Sequence, residues 1–170
     1  MHQPKFSIVL MTLTVLLTSC GESTRLVKFP FDRGGRGLNS NFAELMPQGS
    51  DRYVVFVSDR NRSQDVYLFD VRSRKIIPTP GLNLPGEIAS HPSVSEDGNY
   101  IVLTGSLNGQ RGIYLYNRRT QQRRRLAMNV NAEVRNPTIS ADGSRIALEI
   151  GREGQWDVAV YSQTGNRIAP

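Results

Sequence analysis

His91-Pro92-Ser93-Val94-Ser95-Glu96-Asp97-Gly98-Asn99-Tyr100-Ile101-Val102-Leu103 returns 45 residues later as Asn136-Pro137-Thr138-Ile139-Ser140-Ala141-Asp142-Gly143-Ser144-Arg145-Ile146-Ala147-Leu148. Proline, serine, Asp-Gly and an apolar triplet recur in order. Downstream, Gly112-Ile113-Tyr114-Leu115-Tyr116-Asn117 matches Asp157-Val158-Ala159-Val160-Tyr161-Ser162 at the same spacing. A fainter copy precedes them: Tyr53-Val54-Val55-Phe56 and Asp65-Val66-Tyr67-Leu68-Phe69-Asp70 lie 47 residues before their counterparts. One period held across separate blocks marks a repeat architecture, in which each unit buries its apolar face against the next.

Each copy reads as four short strands. Strand a holds the Pro-x-x-Ser segment, Pro92 to Ser95 and Pro137 to Ser140. Asp97-Gly98 and Asp142-Gly143 supply tight turns, where glycine permits positive φ and aspartate tolerates it. These two aspartates are read as turn-shaping residues rather than metal ligands. Strand b is Tyr53 to Val57, Tyr100 to Thr104 and Arg145 to Ile150. Strand c is the tyrosine-rich block, and strand d is Lys75 to Ile77, Arg124 to Ala127 and Asn166 to Ile168. Val, Ile, Tyr and Phe dominate strands b and c, as β-structure prefers. Tyr53 to Val57 is apolar on both faces, which implies a sheet covered on both sides. The expected fold is all-β: three four-stranded antiparallel propeller-type blades, at about 41–88, 89–134 and 135–170.

The phrase Pro-x-x-Ser-x-Asp-Gly-x-x-Ile-x-Leu, followed by an Ile/Val-Tyr-Leu-type strand, is similar to the WD40-like repeats of the TolB propeller family. The resemblance covers about Phe42 to the C-terminus and implies a periplasmic, non-catalytic interaction protein. That family also carries a separate N-terminal α/β domain and a complete propeller, and this chain has room for neither. Propellers close with about 4 to 8 blades. Three blades leave three solutions: two chains forming a six-bladed ring as a homodimer, a truncated array, or an open array. In the last, the end faces are covered by the N-terminal strand or a partner. The reading leans to the open array.

The N-terminus places Lys5 before an apolar run from Phe6 to Leu17. That length suits the core of a signal peptide and falls short of the roughly 20 residues of a spanning helix. The run ends at Leu17-Thr18-Ser19-Cys20, which resembles the bacterial lipobox. The resemblance implies cleavage after Ser19 and a diacylglycerol on Cys20, with residues 1–19 as signal peptide. Gly21, rather than aspartate, then favours the outer membrane. Residues 20–40 are expected to hold the lipidated terminus, an edge strand at Leu26 to Phe31, and a flexible linker at Asp32 to Gly37.

The formal net charge is +6, and loss of residues 1–19 removes only Lys5. The excess favours anionic neighbours such as lipid headgroups, acidic glycans or acidic protein faces. An exported chain is not expected to meet nucleic acid. Cys20 is the single cysteine, so no internal disulfide forms. His91 is the sole histidine beyond the leader, which excludes the usual Cys/His zinc site. With no activated nucleophile, acid–base pair or phosphate-cradling loop, neither catalysis nor a cofactor is expected.

Two surfaces carry candidate binding residues. The b–c loops contribute Arg60, Arg62, Arg111 and Arg152 to one rim, beside Trp156. Arginine and tryptophan are favoured interface anchors, and ordinary solvated loops are the alternative. The c–d hairpin at the other end carries Arg118, Arg119, Arg123, Arg124 and Arg125. These could grip phosphate or carboxylate groups of glycan or lipid, or simply keep a strand edge from pairing. A degenerate hydrolase-associated propeller is a third, weaker reading.

Overall fold

Apolar runs rich in β-branched and aromatic residues, several of them buried on both faces, build twelve strands and three sheets in a computed structural model that describes residues 32, 34–127 and 132–169. Blade 1 comprises β1 (Glu44–Gly49), β2 (Tyr53–Ser58), β3 (Asp65–Asp70) and β4 (Lys75–Ile77). Blade 2 comprises β5 (Ile88–Val94), β6 (Tyr100–Leu107), β7 (Gln110–Asn117) and β8 (Gln122–Leu126). Blade 3 comprises β9 (Glu133–Ile139), β10 (Arg145–Arg152), β11 (Gln155–Ser162) and β12 (Arg167–Ala169). Each sheet is antiparallel in chain order, the arrangement of a propeller blade. Packing joins blade 1 to blade 2 through β1, β2 and β3 against β5, and blade 2 to blade 3 through β5, β6 and β7 against β9.

The inner strands β1, β5 and β9 share a device that the sequence repeat hides. Met46, His91 and Asn136 stand 45 residues apart, each before a proline, and each adopts positive φ (51°, 48° and 50°). The ladder shifts register at the same places, between Leu45 and Gln48 and between Ser90 and Ser93, and opposite Ala147 and Glu149. Such a bulge bends the strand and lets pairing resume beyond it. Strand a is therefore longer than Pro92 to Ser95 or Pro137 to Ser140: β5 already pairs at Ile88, opposite Ser106. The bulges also bring successive inner strands together. His91 N donates to Met46 Sδ at 3.3 Å, Val94 N to Gln48 Oε1 at 2.8 Å, and Ile139 N to Ser93 Oγ at 3.2 Å.

Two apolar clusters fill the junctions. Val55, Val57, Val66 and Leu68 of blade 1 meet Ile101, Leu103 and Tyr116 of blade 2, with Leu82 from the connecting loop. Val102, Ile113, Leu115 and Leu126 of blade 2 meet Ile139, Ile146, Leu148, Ile150 and Tyr161 of blade 3. Each large aliphatic side chain so buried contributes about 1.5–3 kcal/mol. The Asp-Gly turn of each later blade seats under the first tyrosine of the preceding strand b. A Cβ on Gly98 would lie 2.5 Å from the Tyr53 ring, and one on Gly143 would lie 2.8 Å from that of Tyr100. Glycine is needed there both for its positive φ and for this close approach.

The turn aspartates do what Asp-Gly chemistry requires. Asp142 accepts from Ser140 Oγ at 2.5 Å, Ser144 N at 3.0 Å and Ser144 Oγ at 2.8 Å. The Ser140 hydroxyl and the Ser144 donors hold its carboxyl at about 2. Asp70 is held well below the usual range, chiefly by the Arg52 guanidinium at 2.7 Å. A carboxylate with a depressed folded pKa stabilises above its unfolded value, near ~3.9, and that stabilisation is lost as pH falls through the folded value. The urea midpoint is thus expected to stay level down to about pH 4 and to fall between about pH 4 and pH 2. In D142N the fall should be shallower; the same acid limb in both proteins would refute this assignment.

The end faces of the array differ. The outer face of blade 1, with Phe56, Tyr67 and Phe69, is covered by the segment before β1. Composition reads Asp32 to Gly37 as a flexible linker, but the described residues, Asp32 and Gly34 to Gly37, are tied together by hydrogen bonds. Asp32 accepts from Gly34 N at 3.0 Å and Gly37 N at 2.5 Å, and its own N–H donates to Asn39 O at 3.0 Å. A Cβ on Gly37 would sit 3.7 Å from the Phe69 ring, so the turn lies directly on the sheet. The expected edge strand at Leu26 to Phe31, the signal peptide and Cys20 lie outside the described residues.

Candidate functional site

The b–c end of the array is built by three hairpins. Asn108-Gly109 and Glu153-Gly154 are two-residue turns with both residues at positive φ, the geometry that matches strand twist. The loops are therefore shorter than composition implies. Arg111 falls in β7, Arg152 ends β10, and Trp156 lies in β11. In blade 1 the connection is longer, and Arg62 sits there at positive φ (64°) with its N–H donating to Asp59 O at 2.8 Å. Arg62, Arg111 and Arg152 are all exposed. None is in an ion pair among the described residues.

Arg60 does not join them. Its side chain is only 7% exposed and turns back over the outer face of blade 1. It donates to Gly35 O at 2.8 Å, Gly37 O at 3.3 Å, Ser58 Oγ at 3.0 Å and Glu44 Oε1 at 3.0 Å. Its guanidinium also lies over the Phe56 and Tyr67 rings, 5.2 and 4.7 Å from their centroids. Here arginine acts as a clamp that holds the N-terminal segment on the sheet. Trp156 is half-buried on the outer face of blade 3 and carries the Arg135 guanidinium 3.6 Å from its ring centroid.

The basic hairpin also divides. In β8 successive side chains point to opposite faces, so adjacent arginines part company. Arg123 goes inward. It meets Glu87 in a two-pronged pair at 2.5 and 2.6 Å, donates to Leu82 O at 2.9 Å, and stacks 4.0 Å from the Tyr114 centroid. The pair is buried, with side chains 6% and 2% exposed. Arg118 donates to Gly98 O at 2.7 Å and Asn99 Oδ1 at 3.3 Å, fixing the turn between β5 and β6. Arg119, Arg124 and Arg125 remain exposed. Arg124 edges a cavity of about 610 Å³ between the outer parts of blades 2 and 3, lined also by Tyr100, Asn117, Gln122, Gln163 and Thr164. The residues selected as one anion site thus split into two structural arginines and three accessible ones. Part of the polar lining has no signal in the hairpin itself, because Gln163 and Thr164 come from the next repeat.

Among the described residues no cluster of three His, Asp, Glu or Cys side chains could hold a metal ion. His91 is exposed on the inner strand.

No protein-family model matches the sequence, and no curated protein sequence matches it. Solved structures do share the fold. Putative TolB from Agrobacterium tumefaciens is 16% identical, with a TM-score of 0.58 over 75% of this chain and 48% of that one. The β-propeller domain of the Trilobed protease from Pyrococcus furiosus, which has an open velcro topology, is 12% identical, with a TM-score of 0.55 over 75% and 42%. A puromycin-hydrolyzing peptidase from Mycobacterium tuberculosis is 16% identical, with a TM-score of 0.54 over 78% and 21%. The chain spans less than half the length of each. The fold is that of a β-propeller, all-β and unclosed, and it is shared with TolB, in keeping with the repeat motif. Propellers of peptidases share it equally, so fold alone leaves catalysis open.

Proposed function

We propose that this protein is a lipid-anchored module of the bacterial cell envelope that binds a protein partner and carries out no reaction of its own. Thioether lipidation at Cys20 tethers it to a membrane, with the propeller array facing the periplasm and the outer membrane as its site. The observation that carries the reading is the row formed by Arg62, Arg111 and Arg152. Three consecutive blades each present one exposed, unneutralised guanidinium at the same end. Planar forks of five donors suit the carboxylates of an acidic protein face. A rim of like charge also steers an oppositely charged partner toward itself.

The reading is tested by crosslinking in native membranes followed by mass spectrometry of what the chain recovers, with the intact mass read at Cys20. R62E/R111E/R152E should abolish recovery of the partner, and recovery at the parental level would remove the rim from consideration. A second reading rests on a separate observation: the exposed Arg124 edges the cavity lined by Tyr100, Asn117, Gln122, Gln163 and Thr164. Amides, hydroxyls, an aromatic edge and a cation suit an anionic envelope glycan or lipid headgroup. Such binding should weaken steeply with salt, since screening shortens the reach of exposed charge.

A further inference from the structure

Each blade offers one face to the blade that follows. In blade 1 that face is centred on Val55, Val66 and Leu68; in blade 2 the equivalent repeat positions are Val102, Ile113 and Leu115. All six are essentially sealed, at 3% exposure or less. The same positions one repeat on are Ala147, Val158 and Val160, and Val158 is 63% exposed. The register is conserved as well. Val55 pairs with Leu68, Val102 with Leu115, and Ala147 with Val160. Blade 3 therefore repeats a receiving surface, with no sheet upon it among the described residues.

Two positions of that surface depart from the repeat, and both bring charge. Arg145 stands where blades 1 and 2 have Tyr53 and Tyr100. Glu149 stands where they have Val57 and Thr104. Arg145, Ala147 and Glu149 point to one face of β10, because side chains alternate along a strand. Plus, apolar and minus are thus evenly spaced, with Ala147 at the middle. A two-fold axis through Ala147, across the strand, places Arg145 of one copy against Glu149 of the other, twice. It also sets Val160 against Val160. An axis along the strand would instead set like charges together. Glu149 is already ion-paired with Arg135 at 2.6 Å and accepts from Asn136 Nδ2 at 3.0 Å, so its carboxylate is fixed in place, and the Arg145 of a second copy would share it with Arg135.

We propose that blade 3 is a self-association surface, and that its occupant is a second copy of this chain packed face to face about a two-fold axis at Ala147. This differs from ring closure. A six-bladed ring would join blade 3 of one copy to the outer face of blade 1 of the other, and that face is occupied by the turn that Arg60 holds. The interface continues the blade-on-blade packing already present twice in the chain, and its charges are self-complementary, as an isologous contact requires.

The test uses the full chain in detergent. The parent should sediment as a dimer at about 50 μM, and R145E should weaken association about tenfold or more. V158E changes an exposed residue, so folding is preserved, and it should also dissociate the dimer. Because facing sheets lie about 10 Å apart, a bis-maleimide of about that span should join two copies of A147C and not two copies of the parent, with Cys20 alone. A parent that stays monomeric at about 50 μM would overturn the proposal. So would association unaffected by both R145E and V158E, or an A147C chain that does not cross-link while the parent is dimeric.

Discussion

R123M is expected to lower the unfolding free energy by about 3–5 kcal/mol, because it leaves Glu87 as an uncompensated charge in the interior. Glu87 lies in the connection from blade 1 to blade 2, and Arg123 lies in the outermost strand of blade 2. Their pair, with the donation to Leu82 O, pins that connection to the sheet. The cost of removing one partner is dominated by the carboxylate left behind at 2% exposure, not by the attraction lost. E87Q/R123M should therefore recover much of the loss, since two neutral groups of similar size suit the site better than one stranded ion. Urea unfolding followed by far-UV circular dichroism measures both. Most domains have only about 5–15 kcal/mol to lose, so the single change should be conspicuous. Equal stability of R123M and the parent would mean that Glu87 reaches solvent.

The second large effect is expected at Arg60. R60A removes four hydrogen bonds and a cation seated over two aromatic rings, and should destabilise by about 2–4 kcal/mol. The effect should be local as well as global. Backbone amides from Gly34 to Ser40 should lose their protection from hydrogen exchange, and Phe56 should become accessible to an apolar dye. R60K keeps the charge but not the planar fork that reaches Gly35, Gly37 and Glu44 together, so it should fall between. If amides 34–40 exchange at the same rate in R60A and in the parent, the clamp is not what holds the segment.

Why the sequence misplaces these two arginines follows from the same contacts. An arginine in a loop or a basic run reads as solvated by default. What buries Arg123 is a carboxylate 36 residues away, and what buries Arg60 is one 16 residues away together with the rings of Phe56 in β2 and Tyr67 in β3. No local pattern encodes such pairings. Strands b and c, by contrast, are legible because their apolar, β-branched and aromatic content is a local property, and the Asp-Gly turns because their chemistry is contained in two residues. The inner strand of blade 1 is a third case. Met46-Pro47 keeps the 45-residue spacing to His91-Pro92, but Tyr53 lies 47 before Tyr100. The turn from Ser50 to Tyr53 is two residues shorter than the one from Ser95 to Tyr100, closed by Ser50 N donating to Tyr53 O at 2.8 Å. With the Asp-Gly lost and the spacing broken midway, the first repeat is recognisable only from its strands b and c. The b–c connections are legible in the chain, but which of their arginines face outward depends on turn geometry and on the segment covering blade 1.

The bulged inner strands, each hydrogen-bonded to the next, also bear on how the molecule comes apart. Its three sheets behave as links of a short chain rather than as one indivisible core. Loosening either terminal sheet dissolves one junction and leaves a two-sheet remnant. Loosening the middle sheet dissolves both junctions at once. Damage of equal size should therefore be tolerated at the ends and propagate from the centre, which is where the sequence has placed its best-sealed ionic contact.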